Sequence, residues 1–515
     1  MKRWHAFYEA LQLPLKMLFL AILFLGIGNL ITNQVFSPYW TIDNQYVILF
    51  AEAITRIGTF LVVYFPFIFF LRLVSRKSNG ITTILIGIMG YFTFIIFTIF
   101  FASNTLPSAA FSSIFGISLP SSQLAAFAGK VQYPVQTGMV GVILITITTR
   151  IAYKQSRNKS AYGLLAFVDR DMWAMILNFI YSIAMAFIIC FVWQYLFQSI
   201  DQISRFIASD ISNPINIFIY GVADRVFSVF GLGSFIRQPF WFGNLGGSWI
   251  NLVGESVAGD VGIWTTMVSQ NLVPATAGRF ITPYYVLNIF AVPGMIWAFY
   301  ATYTDKVEKR RIRLFFVLAT ILSIFAGTLL PLEIMLLLLC PLLFLFHVTY
   351  TGILFGLFQA LKVALGFSYF GNVNVGLPGN LLEFMNFARN PNYSHVILTI
   401  CVVGVISLII YFLITRLYFK YLAIDLFNNG TSRNIIDKTI DAMGGTSNIK
   451  MLHASVNRLT IQVFDPSILK LSILADLGAT RIVETRAGYS IDYGSGSTMI
   501  KRGIEKQLRA VQKSA

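Results

Sequence analysis

The chain has 515 residues, of which 56% are hydrophobic, 15% aromatic and only 12% charged. That composition excludes an ordinary soluble globule and an intrinsically disordered chain, and it defines the membrane class. The net charge of +16 does not point to nucleic acid, because the basic residues sit in short loops between apolar runs, the pattern that membrane orientation produces.

The first apolar run, Leu13 to Ile31, is too long for a signal-peptide core and has no small-residue cleavage site close behind it. It reads as a retained span. Lys2 and Arg3, then Arg72, Arg76 and Lys77, then Arg150 to Lys159, then Lys306 to Arg313, and lastly Arg416 and Lys420 mark the cytoplasmic side. Val35 to Gln45 and Ser103 to Gly129 carry no Lys or Arg and read as external. Five spans alternate under this assignment, at about 13–34, 47–71, 81–102, 134–151 and 173–198.

Gly231 to Gly278 fits no span well. It is rich in Gly, Asn, Ser and Trp and contains Glu255 and Asp260, so an external loop and a pocket lining both remain open. After Arg313 come three apolar segments, about 314–330, 333–358 and 395–415, between two cytoplasmic marks. An odd number of crossings cannot return the chain to its starting side, so one segment is expected to dip in and come back. The place is Thr328 to Glu333, where Pro331 is expected to break the helix and Glu333 puts a carboxylate at an expensive depth. Transporters place substrates at such breaks.

Cys190, Cys340 and Cys401 lie inside apolar segments and read as small core residues. His5, His347, His395 and His453 show no metal-ligand spacing, and the sequence calls for no metal or cofactor. From about Thr431 the character turns soluble. TSRNIIDKTIDAMGG reads as a capped amphipathic helix and LTIQVFD as a strand. PSILKLSILADLGA reads as a second helix, with RIVET and YSIDYG as further strands. The expected architecture is a membrane part over 1–425 and a small α+β domain over 426–515.

The residues of this tail carry a resemblance. Gly444, Gly445, Asn448, Ile449, Arg458, Leu459, Leu477, Gly478, Ala479 and Gly494 fall in register with the B domain (EIIB) of the glucose-family permeases of the bacterial phosphoenolpyruvate-dependent sugar phosphotransferase system. The membrane part resembles that family's C domain (EIIC) through FGLGSFIRQPFW, GRFITPYYVLNIFAVPGMIWAFY and PLEIMLLLLCPLLFLFHVTYTGILF. The resemblance implies a polytopic α-helical membrane protein of about ten spans with re-entrant segments, followed by a cytoplasmic EIIB-like α+β domain. It also implies a bacterial cell-membrane location with the N-terminus cytoplasmic, a homodimer among lipids, a sugar or other small solute, and docking of an EIIA-type phosphocarrier. No nucleic acid is implied.

The departures fall on the reactive positions. The family's phospho-accepting cysteine corresponds to Ser455, its neighbouring threonine to Asn457 and its aspartate to His453. A thiolate is nucleophilic near neutral pH and leaves readily, whereas a serine hydroxyl does neither. The family's paired histidines correspond to Gly233 and Ser234, and its first sugar-binding glutamate to Leu330, while Glu333 is kept. Arg458 corresponds to an anion-binding arginine; a plain surface arginine at a strand edge is the other reading. Arg237 and Arg279 read as interfacial anchors. The family's activity moves phosphate from a phosphohistidine protein to the sugar, and the missing cysteine puts that activity in question here. Three functions stay open: a phosphorylation-incompetent permease relative, a non-transporting sensor, regulatory or assembly protein, and an active permease with an unusual acceptor.

Overall fold

The structure is a computed structural model. It describes residues 13–14, 17–21, 23–28, 31, 44–75, 81–102, 106, 110–118, 133–156, 169–274, 276–302, 306–367, 378–419, 432–455, 458–479, 481–485, 488–493 and 497–514. Eight residues of the first span, most of the two external stretches, the basic positions Lys2, Arg3, Arg76, Lys77, Arg157, Lys159 and Lys420, the 425/426 boundary, Asn457 and Gly494 lie outside the described residues.

Six of the described helices are long and apolar enough to cross a membrane: Gln45–Val63, Ile81–Phe101, Arg170–Ala208, Thr282–Thr302, Pro341–Ala360 and Pro391–Leu417. The span expected at 47–71 is two helices, Gln45–Val63 and Phe65–Ser75, interrupted at Tyr64. The span expected to begin at 134 starts only at Gly138. Before it the chain is extended, and Gln136 donates its backbone N–H to the Ala110 carbonyl at 2.7 Å. The fifth span runs on to 39 residues, Arg170–Ala208, and its start is capped by Asp169, which accepts the Asp171 and Met172 N–H groups.

Helix Pro214–Val229 packs along Pro341–Ala360. The contact is close because Gly221 faces Gly352: a methyl on Gly221 would come within 3.1 Å of the Gly352 Cα and 2.5 Å of the Phe355 ring. Small residues let two apolar helices approach where no hydrophobic effect drives them together. Thr282–Thr302 contains a π-helical turn at Leu287–Ala291, directly before Pro293, whose ring nitrogen cannot donate to the preceding turn.

The expected break near Thr328 is present, but Pro331 does not cause it. Helix Lys306–Ala326 ends at Gly327, which takes a φ of +64°, and a new helix, Leu330–Leu339, begins with Pro331 in its first turn, where no backbone donor is needed. A second break, absent from the sequence reading, falls at Cys340 before Pro341. The residue before a proline is driven out of the helical region, so the segment expected at 333–358 is two helices.

Between Gly231 and Gly278 lie helix Gly233–Trp241, an antiparallel hairpin of β1 (Ser248–Ile250) and β2 (Ser256–Ala258), and helix Asp260–Ser269. The C-terminal domain begins with helix Ser432–Ala442 and holds a four-stranded antiparallel sheet. Its strands are β3 (Ile449–Ala454), β4 (Arg458–Val463), β5 (Arg481–Thr485) and β6 (Gly488–Asp492), in the order β3-β4-β6-β5. The helix expected from 466 is a single 3-10 turn, Pro466–Ile468, and a six-residue helix, Leu471–Asp476. A final helix, Ser497–Ser514, went unread in the sequence and inserts Ile500 and Ile504 into a core with Leu459, Ile461, Leu474 and Ile491.

Candidate functional site

The site begins with adjacent opposite charges in an apolar helix. Asp224 and Arg225 lie in Pro214–Val229, both buried. Arg225 donates from Nε to Asp224 Oδ2 at 3.0 Å and from Nη1 to Glu333 Oε1 at 2.9 Å, bridging that helix to the one that starts after the 327–329 break. Arg237, from the short helix Gly233–Trp241, donates from Nε to Asp224 Oδ1 at 2.7 Å and from Nη2 to the Ser228 hydroxyl at 2.9 Å. The Tyr284 hydroxyl donates to Asp224, and Arg225 Nη2 reaches that hydroxyl at 3.2 Å. Behind Glu333, His347 Nε2 stands 3.1 Å from Oε1, and His347 Nδ1 stands 2.9 Å from the Tyr411 hydroxyl.

Two arginines thus face two carboxylates out of water, and the charges balance. Buried ions persist when such geometry returns the lost hydration as hydrogen bonds. One acceptor is left over: Glu333 Oε2 is buried with no hydrogen-bond partner among the described residues.

This network lines a cavity of about 160 Å3, room for several waters or a small polar solute when a water's share is about 30 Å3. Its walls come from Tyr64 and the start of helix Phe65–Ser75, Gln136–Met139, the Gly231–Arg237 region and the break at Gly327–Leu330. The fold therefore places non-helical backbone where it faces a cavity, as a low-dielectric surround requires. Asn288, in the π turn, donates to the carbonyls of both Gly327 (3.1 Å) and Pro378 (3.0 Å), tying two wall segments together.

Of the residues singled out in the sequence, Glu333, Leu330 and Gly233 line this cavity. Ser234 is not among the lining residues; its hydroxyl donates to Gln136 Oε1 at 3.2 Å, and Gln136 does line the wall. Arg237 is no interfacial anchor, since its guanidinium is buried on Asp224 in the cavity wall. Arg279 stays away from the cavity and donates to the Ile211 and Thr276 carbonyls. The Gly231–Gly278 region divides between the two open readings: its first part lines the cavity, while Glu255 belongs to the β1–β2 connection and accepts from Asn251. Asp260 accepts the Gly278 N–H at 3.0 Å. Burial raises its pKa to about 7, against the opposing pull of the Arg279 charge.

Ser455 and Arg458 come together elsewhere, at the β3–β4 connection. Ser455 is 3% exposed, donates its N–H to the Arg458 carbonyl at 2.8 Å, and has its hydroxyl 3.5 Å from the same oxygen. Arg458 donates from Nε to Asp492 at 3.0 Å. It opens β4, an inner strand of the sheet, so the edge-strand reading is corrected. Among the described residues the hydroxyl's hydrogen-bond partner is that carbonyl oxygen, which cannot serve as a base for its proton.

Sequence reasoning missed Asp224, Arg225, Tyr284 and the participation of His347. The signal was present, because an ionisable pair inside an apolar run is expensive and points to function. Among the described residues no three His, Cys, Asp or Glu side chains gather as a metal site.

No protein-family model matches the chain. Over 389 residues it is 28% identical to the PTS system glucose-specific EIICBA component of Staphylococcus carnosus (strain TM300), an alignment covering 74% of this chain and 56% of that protein. The chain spans little more than half the length of that curated relative. The apolar helices, the small C-terminal α+β domain and this similarity together relate the chain to the glucose-family permeases of the phosphotransferase system, with an EIIC-type membrane part followed by an EIIB-like domain.

Proposed function

We propose that the chain is a phosphorylation-incompetent relative of the sugar permeases that binds a small polar solute in the cavity at Glu333. One observation carries this reading: Glu333 lines the cavity, held by Arg225 and His347 through Oε1, and keeps Oε2 without a partner. A ligand hydroxyl would complete it once the wall shifts to admit one, since Glu333 is fully buried as the structure stands. The loss of the reactive thiol at Ser455 supports the second half of the proposal, and the same reading makes Arg458 a structural partner of Asp492. The relative's name points to glucose, but Gly233, Ser234 and Leu330 bring no histidine or glutamate to the pocket. Each missing hydrogen bond weakens binding by roughly 0.5–3 kcal/mol, so a micromolar sugar site becomes a millimolar or absent one. The proposal includes domains at 1–425 and 426–515, a homodimer, cytoplasmic placement of the N-terminus and the EIIB-like domain, and at most vestigial docking of an EIIA-type phosphocarrier.

The test has two arms. Incubated with phosphoenolpyruvate and the general phosphotransferase components, the purified protein is expected to stay unlabelled; stoichiometric phosphate on Ser455 would restore the active-permease reading. In calorimetry with glucose, maltose or N-acetylglucosamine, no micromolar affinity is expected, and a micromolar constant refutes the altered pocket.

A further inference from the structure

The EIIB-like domain exposes its hydrophobic side chains unevenly. Six large hydrophobics are exposed among its described residues, and four of them lie in one connection: Phe464 (67%), Ile468 (47%), Leu471 (41%) and Ile473 (39%). This connection leaves the far end of β4, which begins at Arg458 and ends at Val463. A strand of that length separates the two ends of the sheet by roughly 17–20 Å, so the apolar tip stands away from Ser455. Large apolar side chains gathered at one tip mark a contact surface.

We propose that this tip docks on the lipid bilayer, in the leaflet at the Arg416 end of the last span. Charge and reach both favour lipid. Residues 432–515 hold twelve Lys and Arg against seven Asp and Glu, a net of +5, which suits an anionic membrane surface. Lys450 and Lys470 are exposed beside the tip: Lys470 sits between Ile468 and Leu471, and Lys450 lies two residues beyond Asn448, whose carbonyl accepts the Phe464 N–H. Of the two carboxylates between β4 and β5, Asp465 turns into its own turn and accepts the Ser467 N–H at 2.9 Å, and Asp476 ends the helix Leu471–Asp476, three residues beyond Ile473. Twelve residues, 420–431, join Phe419 to Ser432, a reach of at most about 45 Å. Helix Ser432–Ala442 then delivers the chain to the tip, where the Ala442 carbonyl accepts the Lys470 N–H. An aromatic and three aliphatic side chains flanked by lysines make a typical interfacial contact.

The full chain can be tested in nanodiscs. A Ser472→Cys variant, in a Cys401→Ala background because Cys190 and Cys340 are buried, would carry an environment-sensitive NBD label at the tip. In discs containing phosphatidylglycerol, blue-shifted emission and severalfold quenching by nitroxide-bearing lipids are expected. Both should weaken in phosphatidylcholine or high salt, and disappear in Phe464→Asp/Leu471→Asp. Water-like emission in both lipids overturns the proposal. So does a label shielded from aqueous iodide but not quenched by nitroxide lipid, because then protein covers the tip.

Discussion

Arg225 is the residue on which the cavity's charge balance turns. Its guanidinium pairs with Asp224 on its own helix and Glu333 on another, so Arg225→Ala leaves Asp224 to Arg237 and Tyr284, Glu333 to His347 alone, and one buried negative charge without a counter-charge. Removing one partner of a buried pair costs about 3–5 kcal/mol, and the thermal midpoint in detergent should fall accordingly. Glu333→Ala is gentler: Arg225 keeps Asp224 and His347 keeps Tyr411. We expect it to cost about 3 kcal/mol, the low end for the two hydrogen bonds to charged groups lost at Oε1, while removing whatever solute binding the protein has. Equal destabilisation by the two variants would show that Glu333 is chiefly structural. Half of this chemistry was legible in the sequence. Glu333 stands out as a carboxylate near a proline in an apolar run, whereas Asp224–Arg225, an ionisable pair in such a run, was missed. Their meeting does not stand out, because 108 residues separate Arg225 from Glu333, and no local pattern reports a contact at that distance.

At the scale of elements, the membrane part is held around its cavity by interruptions in its helices. The break between Ala326 and Leu330 followed from the topology of the basic loops, while its cause, Gly327 in the left-handed region, did not. Proline was the visible suspect, yet proline in a first turn starts helices. The break after Leu339 escaped for the complementary reason: an uninterrupted apolar run hides where a helix stops, and only Pro341 hinted at it. Asn288 ties these pieces together, since both its N–H groups are spent on carbonyls of the cavity wall. Its oxygen, Oδ1, is buried without a partner among the described residues, so packing and the two donated bonds fix its orientation. Asn288→Leu removes both bonds and orphans two carbonyls, at about 1–3 kcal/mol each. In hydrogen-exchange mass spectrometry we expect the peptide spanning 327–334 to exchange ten- to a hundredfold faster, with Ile81–Phe101 unchanged. Unaltered exchange at 327–334 would mean the wall is held by other contacts.

The whole molecule is two bodies of hydrophobic core with no residue in common, one gathered from the membrane helices and one from Ile440 to Ile504. The smaller core was readable as alternating strands and an amphipathic first helix. Its last helix was missed because Ile500, Ile504 and Leu508 repeat every four residues among cations, a stripe easily taken for a charged tail. That helix closes the second core, so the EIIB-like domain carries what it needs to unfold on its own. Unfolding enthalpies run at about 0.7 kcal/mol per residue near 60 °C, so a domain of this size should absorb on the order of 60 kcal/mol in a separate calorimetric transition. The two effects can be crossed. Arg225→Ala should lower only the transition of the membrane part, whereas Ile504→Ala, which empties a fully buried position at about 2–5 kcal/mol, should lower only that of the C-terminal domain. A single transition that moves as one under either substitution would show that the two cores fold as a unit.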